Sequence, residues 1–120
     1  MKAARQTALT LRVARGQQEQ QAAIDAWLHE QTSRRLGIIA EGAFFELKVP
    51  SPVPLERLAA GCVCCVGMVP LNVTLTRMLR LHRPDSVLLL MTNADHLERM
   101  RGLVTSGKLG VELDNRREQT

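Results

Sequence analysis

The sequence predicts an α/β fold, three-layered, with a mostly parallel sheet and helices on both of its faces. Three observations carry this. Segments of strand period alternate with segments of helical spacing along the chain. Ser86–Met91 (SVLLLM) is almost wholly apolar, as a strand buried on both faces has to be. Gly and Pro fall between the periodic segments, where the chain has to turn.

The elements follow in order. Gln6–Ala14 alternates, with Leu9, Leu11 and Val13 on one side and Ala8, Thr10 and Arg12 on the other, which predicts a strand. After Gly16 comes a polar run, Gln17 to Gln21. Ile24, Trp27, Leu28 and Gln31 then lie at helical spacing, so a helix is expected from about Gln18 to Arg34, ended by Gly37. Ile38–Ala40 reads as a short buried strand and Phe44–Val49 as another, closed by Pro50, Pro52 and Pro54, which cannot donate to a ladder. Pro70 suits the first turn of a second helix, whose stripe is Leu71, Leu75, Met78 and Leu79. Pro84 and Asp85 break it before the SVLLLM strand. A third helix is expected over Ala94–Thr105, stopped by Gly107, then a last strand over Leu109–Leu113. Residues 1–113 are thus expected to form a single domain, and Asp114–Thr120 a flexible polar tail.

Composition narrows the function classes. The chain of 120 residues is 45% hydrophobic, enough for a core, but that core must be aliphatic: there is one Trp, two Phe and no Tyr. The formal charge of +4 raises nucleic acid as a partner. The basic residues are dispersed, however, in small groups such as Arg34/Arg35 and Arg77/Arg80/Arg83, and residues that stack on bases are scarce, so no nucleic-acid site is expected. No run approaches the roughly 18 apolar residues of a membrane span. The N-terminus interrupts its apolar positions with Thr and Arg, unlike a signal peptide, so a cytoplasmic location is expected.

The strongest chemical signal is GCVCC. Cys62 and Cys65 have the C-x-x-C spacing that lets one turn direct two sulfurs at one ion, and Cys64 lies between them. Three cysteines in four positions make no disulfide framework, and in a reducing compartment such a cluster reads as metal-binding or reactive. Thiolates favour soft ions such as zinc or monovalent copper. Zinc usually takes four ligands, so three local thiolates leave a position for water, for a distant residue such as His96 or Glu41, or for a second chain. Two other readings stand beside this one. Apolar-flanked cysteines can be core residues, and Cys62 with Cys65 could form a redox disulfide, although Arg57 is the nearest cation in sequence to lower a thiol pKa. His96 follows a strand at the start of a helix, a place for active-site residues and equally for a cap or surface histidine. Asp95 could cap that helix or orient His96. Met68, Met78, Met91 and Met100 read as core or rim.

The stretch Leu58–Leu113 resembles the CobW family of metal-handling P-loop GTPases: GCVCC, a short loop, a Leu-rich helix, R-P-D and an apolar strand follow that family's order. The resemblance implies a truncated P-loop-GTPase-like scaffold with Cys62, Cys64 and Cys65 as the metal motif. It also exposes a departure. A P-loop, G-x-x-x-x-G-K-[ST], cradles phosphate on backbone N–H groups, offsets its charge with Lys and holds magnesium through Ser/Thr. Laid on that pattern, Val13 falls at the first Gly, Gly16 keeps the internal one, Gln18 replaces the next Gly, and Glu19 and Gln20 replace the Lys and the Ser/Thr. A carboxylate where phosphate needs a cation reverses the site's charge. After SVLLLM the family's acidic residue and Gly-bearing turn are replaced by Met91, Thr92, Asn93 and Ala94.

The expectation is therefore a non-catalytic, cytoplasmic CobW-like protein that binds zinc or a related soft metal for homeostasis or delivery. GTPase activity and nucleotide binding are not expected. Its partners would be the metal ion and a client or family-member protein, with no membrane. A pseudo-GTPase interaction module with structural cysteines is the second reading, and a weak GTP binder the third.

Overall fold

A computed structural model of the chain describes residues 7–32, 35–42, 46–50, 52–58, 69–107 and 110–113. The elements are β1 (Thr7–Val13), α1 (Gly16–Glu30), β2 (Leu36–Glu41), β3 (Leu55–Leu58), α2 (Val69–His82), β4 (Ser86–Met91), α3 (Ala94–Thr105) and β5 (Val111–Leu113). The five strands form one all-parallel sheet in the order β3-β2-β4-β1-β5. The α/β fold expected from the sequence is the fold observed.

β4 lies at the centre, and it is the strand buried along its whole length. All six of its residues are buried, with β1 hydrogen-bonded on one side and β2 on the other. Its alternation divides the core in two. Leu88 and Leu90 join Ile38, Ala40, Ile24 and Trp27 under α1. Val87, Leu89 and Met91 join Leu9, Leu11 and Ile39 under Leu71, Leu75 and Met78 of α2 and Met100 and Val104 of α3. Helices therefore cover both faces, and the sheet is the middle layer of three. The path from β1 to β2 crosses on the α1 face, whereas the paths from β3 to β4 and from β4 to β5 move the other way on the α2/α3 face, as connections of a single hand require.

Three boundaries differ from the sequence reading, each for a physical reason. The first helix begins at Gly16, in the left-handed region at φ +77°, and ends at Glu30, because Gln31 is already extended. Gly37 does not end that helix but lies inside β2. A β-carbon there would come within 2.5 Å of the Met78 sulfur, so the glycine lets α2 lie close on the sheet. The strand expected over Phe44–Val49 is replaced at the sheet edge by β3, Leu55–Leu58. Phe44 and Phe45 lie outside the described residues. Residues 46–49 give their backbone groups to glutamine side chains of α1 instead of to a ladder: Gln17 Nε2 donates to the Glu46 carbonyl at 3.0 Å, and the Gln21 amide both accepts from Lys48 N (2.7 Å) and donates to Lys48 O (2.9 Å). Leu47, buried against the α1 side of the core, fixes the segment. β3 was hidden by its length and by Glu56 and Arg57, charges that an edge strand tolerates.

Candidate functional site

In a parallel sheet the strands all end on one edge, and ligands bind there, above the point where neighbouring connections leave in opposite directions. Here that point lies between β1, whose chain leaves over one face, and β4, whose chain leaves over the other. Ala14, Arg15, Gly16, Thr92 and Asn93 surround it, with Glu41 at the end of β2 beside it.

The connection from β1 to α1 holds two residues, Ala14 and Arg15. Ala14 N donates to the Met91 carbonyl at 2.8 Å, continuing the ladder one step, and Arg15 Nε donates to the Thr92 carbonyl at 3.0 Å. The backbone N–H of Arg15 donates to Glu19 Oε1 at 2.8 Å. Glu19, read from the sequence as the reversal of a phosphate lysine, thus reaches back four residues and accepts from the backbone N–H at the N-cap of α1. One backbone donor at the start of α1, of the kind a phosphate would use, is thereby taken by the chain itself.

Gln20, at the position of the magnesium-binding Ser/Thr in the family pattern, is fully buried. Its Nε2 donates to the Ala14 carbonyl (3.2 Å) and to the Glu41 carbonyl (2.9 Å). One side chain therefore clasps the ends of β1 and β2, which β4 separates. Its Oε1 is buried with no hydrogen-bond partner among the described residues.

Glu41 is also fully buried. Its Oε1 accepts from Thr92 N at 2.8 Å and from Thr92 Oγ1 at 3.1 Å, so the turn after β4 holds the carboxylate at the end of β2. His96, in the first turn of α3, places Nδ1 3.5 Å from the same oxygen and is buried rather than capping or on the surface. The cap of α3 is Asn93, whose Oδ1 accepts from Asp95 N at 2.8 Å. Asp95 is exposed in the first turn, where its charge suits the helix dipole. At that separation the carboxylate and the imidazole face one another across an ion-pair contact rather than a hydrogen bond.

Cys62, Cys64 and Cys65 lie outside the described residues. The segment that carries them runs from Leu58, which ends β3, to Val69, which begins α2. Leu58 is the register partner of Glu41, and its carbonyl accepts from Gly42 N at 2.8 Å. Among the described residues, no three His, Cys, Asp or Glu side chains gather as a metal group. Met78, Met91 and Met100 are buried core residues, and Met68 lies outside the described residues. Among the described residues no helix is long and apolar enough to cross a membrane.

Sequence reasoning named Glu41 and His96 separately, and the fold brings them together. It did not foresee the roles of Gln20, Gln21, Arg15 and Thr92. The signal was present in α1, where Gln20 precedes Ile24 by four residues and so lies on the helix's buried stripe, with Gln21 beside it.

No known family profile matches the chain, and no solved structure matches it. Over 52 residues it is 35% identical to the zinc chaperone YeiR of Escherichia coli strain K12. That stretch is 43% of this chain and 16% of the relative, so the chain spans only a small part of the length of the protein it is similar to.

Proposed function

We propose that this chain is a non-catalytic, CobW-like zinc-handling protein in which Cys62, Cys64 and Cys65 supply the thiolates. His96, which lies beside Glu41, supplies the fourth ligand in this reading. The observation that carries the reading is the buried Glu41–His96 pair beside the end of β3, where the chain departs into the cysteine segment. Leu58 is the register partner of Glu41, so the cysteine segment leaves the sheet next to the strand end that carries this carboxylate. The partial likeness to a zinc chaperone supports zinc as the cargo. Zinc matches a set of thiolates and an imidazole, and a histidine on a separate element is the ligand that can yield first to an incoming donor. Keeping three thiols reduced suits a cytoplasmic location. The self-capped α1 supports a protein that handles metal without hydrolysing a nucleotide. Residues 1–113 serve as a single domain in this reading, with 114–120 as a polar tail.

The test is zinc competition against a chromophoric chelator on the reduced full chain, with native mass spectrometry for stoichiometry. About one zinc per chain is expected. The Cys62→Ser/Cys65→Ser double variant should lose it. His96→Ala should weaken it, and Glu41→Gln should weaken it roughly 10- to 100-fold as an outer-shell change. If the wild-type chain retains no more zinc than the double cysteine variant, the proposal fails.

A further inference from the structure

We propose that the outer face of α2 is a docking groove for an acidic amphipathic helix of a partner protein. The inward face of α2 is spent on the core through Leu71, Leu75 and Met78. Its outer face should then be polar, yet Val73 and Leu81 are 54% and 68% exposed and are the exposed large hydrophobic residues among those described. They do not stand alone. Val73, Arg77 and Leu81 form one row at i, i+4, i+8, and Asn72, Thr76 and Arg80 form the neighbouring row. Together these two rows line one wide, open depression along α2. Parallel i±4 ridges with a furrow between them are what a second helix packs into, and an apolar furrow is where helical peptides anchor.

Charge selects the partner. Arg77 and Arg80 line the groove, and His82 and Arg83 are exposed just beyond it. The acid paired with this face is Glu56, 2.9 Å from Arg77. A helix with an apolar stripe flanked by Glu or Asp complements this arrangement and excludes basic competitors. A second copy of the chain would oppose these arginines to themselves across a two-fold axis. Nucleic acid would gain nothing from Val73 and Leu81, and Trp27, the described aromatic residue, is buried and offers no stacking surface. The groove needs no metal, so its test runs in chelator and stands apart from the zinc proposal.

The probe is a fluorescent synthetic helix of about 18 residues, long enough to form in a groove, with a leucine stripe flanked by glutamates. Its control has lysines in their place. Anisotropy titrations with the full chain should show the Glu-flanked helix binding at least about tenfold more tightly than the Lys-flanked one. Leu81→Asp and Val73→Asp should each weaken it by about tenfold or more. Because both side chains are exposed, melting curves should be unchanged. Arg80→Glu should shift the preference toward the Lys-flanked helix, which tests the charge argument even if an apolar variant folds poorly. Equal binding of the two helices, no effect of Leu81→Asp, displacement of the helix by duplex DNA, or a dimer in sedimentation that Leu81→Asp disperses would each overturn the proposal.

Discussion

Replacing Gln20 tests the joint that holds the functional edge together. The side chain is fully buried and donates to two carbonyls, one at the end of β1 and one at the end of β2. Gln20→Ala removes both bonds, at a net of about 1–1.5 kcal/mol each, and leaves two buried carbonyls short of a donor. It also leaves a small void, adding about 1 kcal/mol. One term runs the other way: Oε1 has no hydrogen-bond partner among the described residues, and deleting it recovers about 1 kcal/mol of desolvation. The net loss is about 2–3 kcal/mol, or roughly 10 °C in Tm for a domain of this size. Gln20→Glu keeps the shape but turns an oxygen toward the two carbonyl oxygens, so it should cost more, above about 4 kcal/mol. Gln20→Ser, which restores the residue type of a P-loop, should lose about as much as Gln20→Ala and gain no nucleotide binding. Urea denaturation followed by circular dichroism gives the ranking. A Gln20→Ala loss below about 1 kcal/mol, or a Gln20→Glu variant as stable as wild type, would refute the clasp.

Three other outcomes are expected. Glu19→Lys, although it supplies the cation a P-loop has, should destabilise the chain by about 1 kcal/mol, because it removes the acceptor of Arg15 N and puts positive charge at the start of α1; thermal melts read the loss, and a GTP titration should remain flat. Gln21→Ala should release the backbone at Lys48 and speed exchange of its amide hydrogen by about tenfold, measured by NMR, with stability falling by about 1–2 kcal/mol. Gly37→Ala should cost about 1–3 kcal/mol by driving a β-carbon against the Met78 sulfur. Shortening that side chain with Met78→Ala should make the second change less than additive in a double-mutant cycle on urea midpoints.

How much of this was legible beforehand differs between elements. SVLLLM announces a doubly buried strand through its nearly unbroken apolar run, and α2 announces itself through an apolar stripe at helical spacing. Residues 46–49 were misread because an extended, partly apolar segment looks the same in sequence whether its backbone meets a strand or a row of glutamine amides. β3 was overlooked because four residues with two charges carry too little period to register.

The sequence by itself determined the chemistry on offer: three thiols in C-x-C-C spacing, and a carboxylate, Glu19, one turn into the polar run that follows Gly16. These are properties of residue type and local order, which one sequence states outright. Tertiary structure alone decided that Glu19 turns back on Arg15 N, that Gln20 clasps two strand ends, and that Glu41 and His96 meet at 3.5 Å. The physical reason is separation along the chain. Glu41, Thr92 and His96 become neighbours because β2 and β4, far apart in sequence, pair side by side in the sheet, and that pairing rests on the buried strands and not on any residue of the site itself.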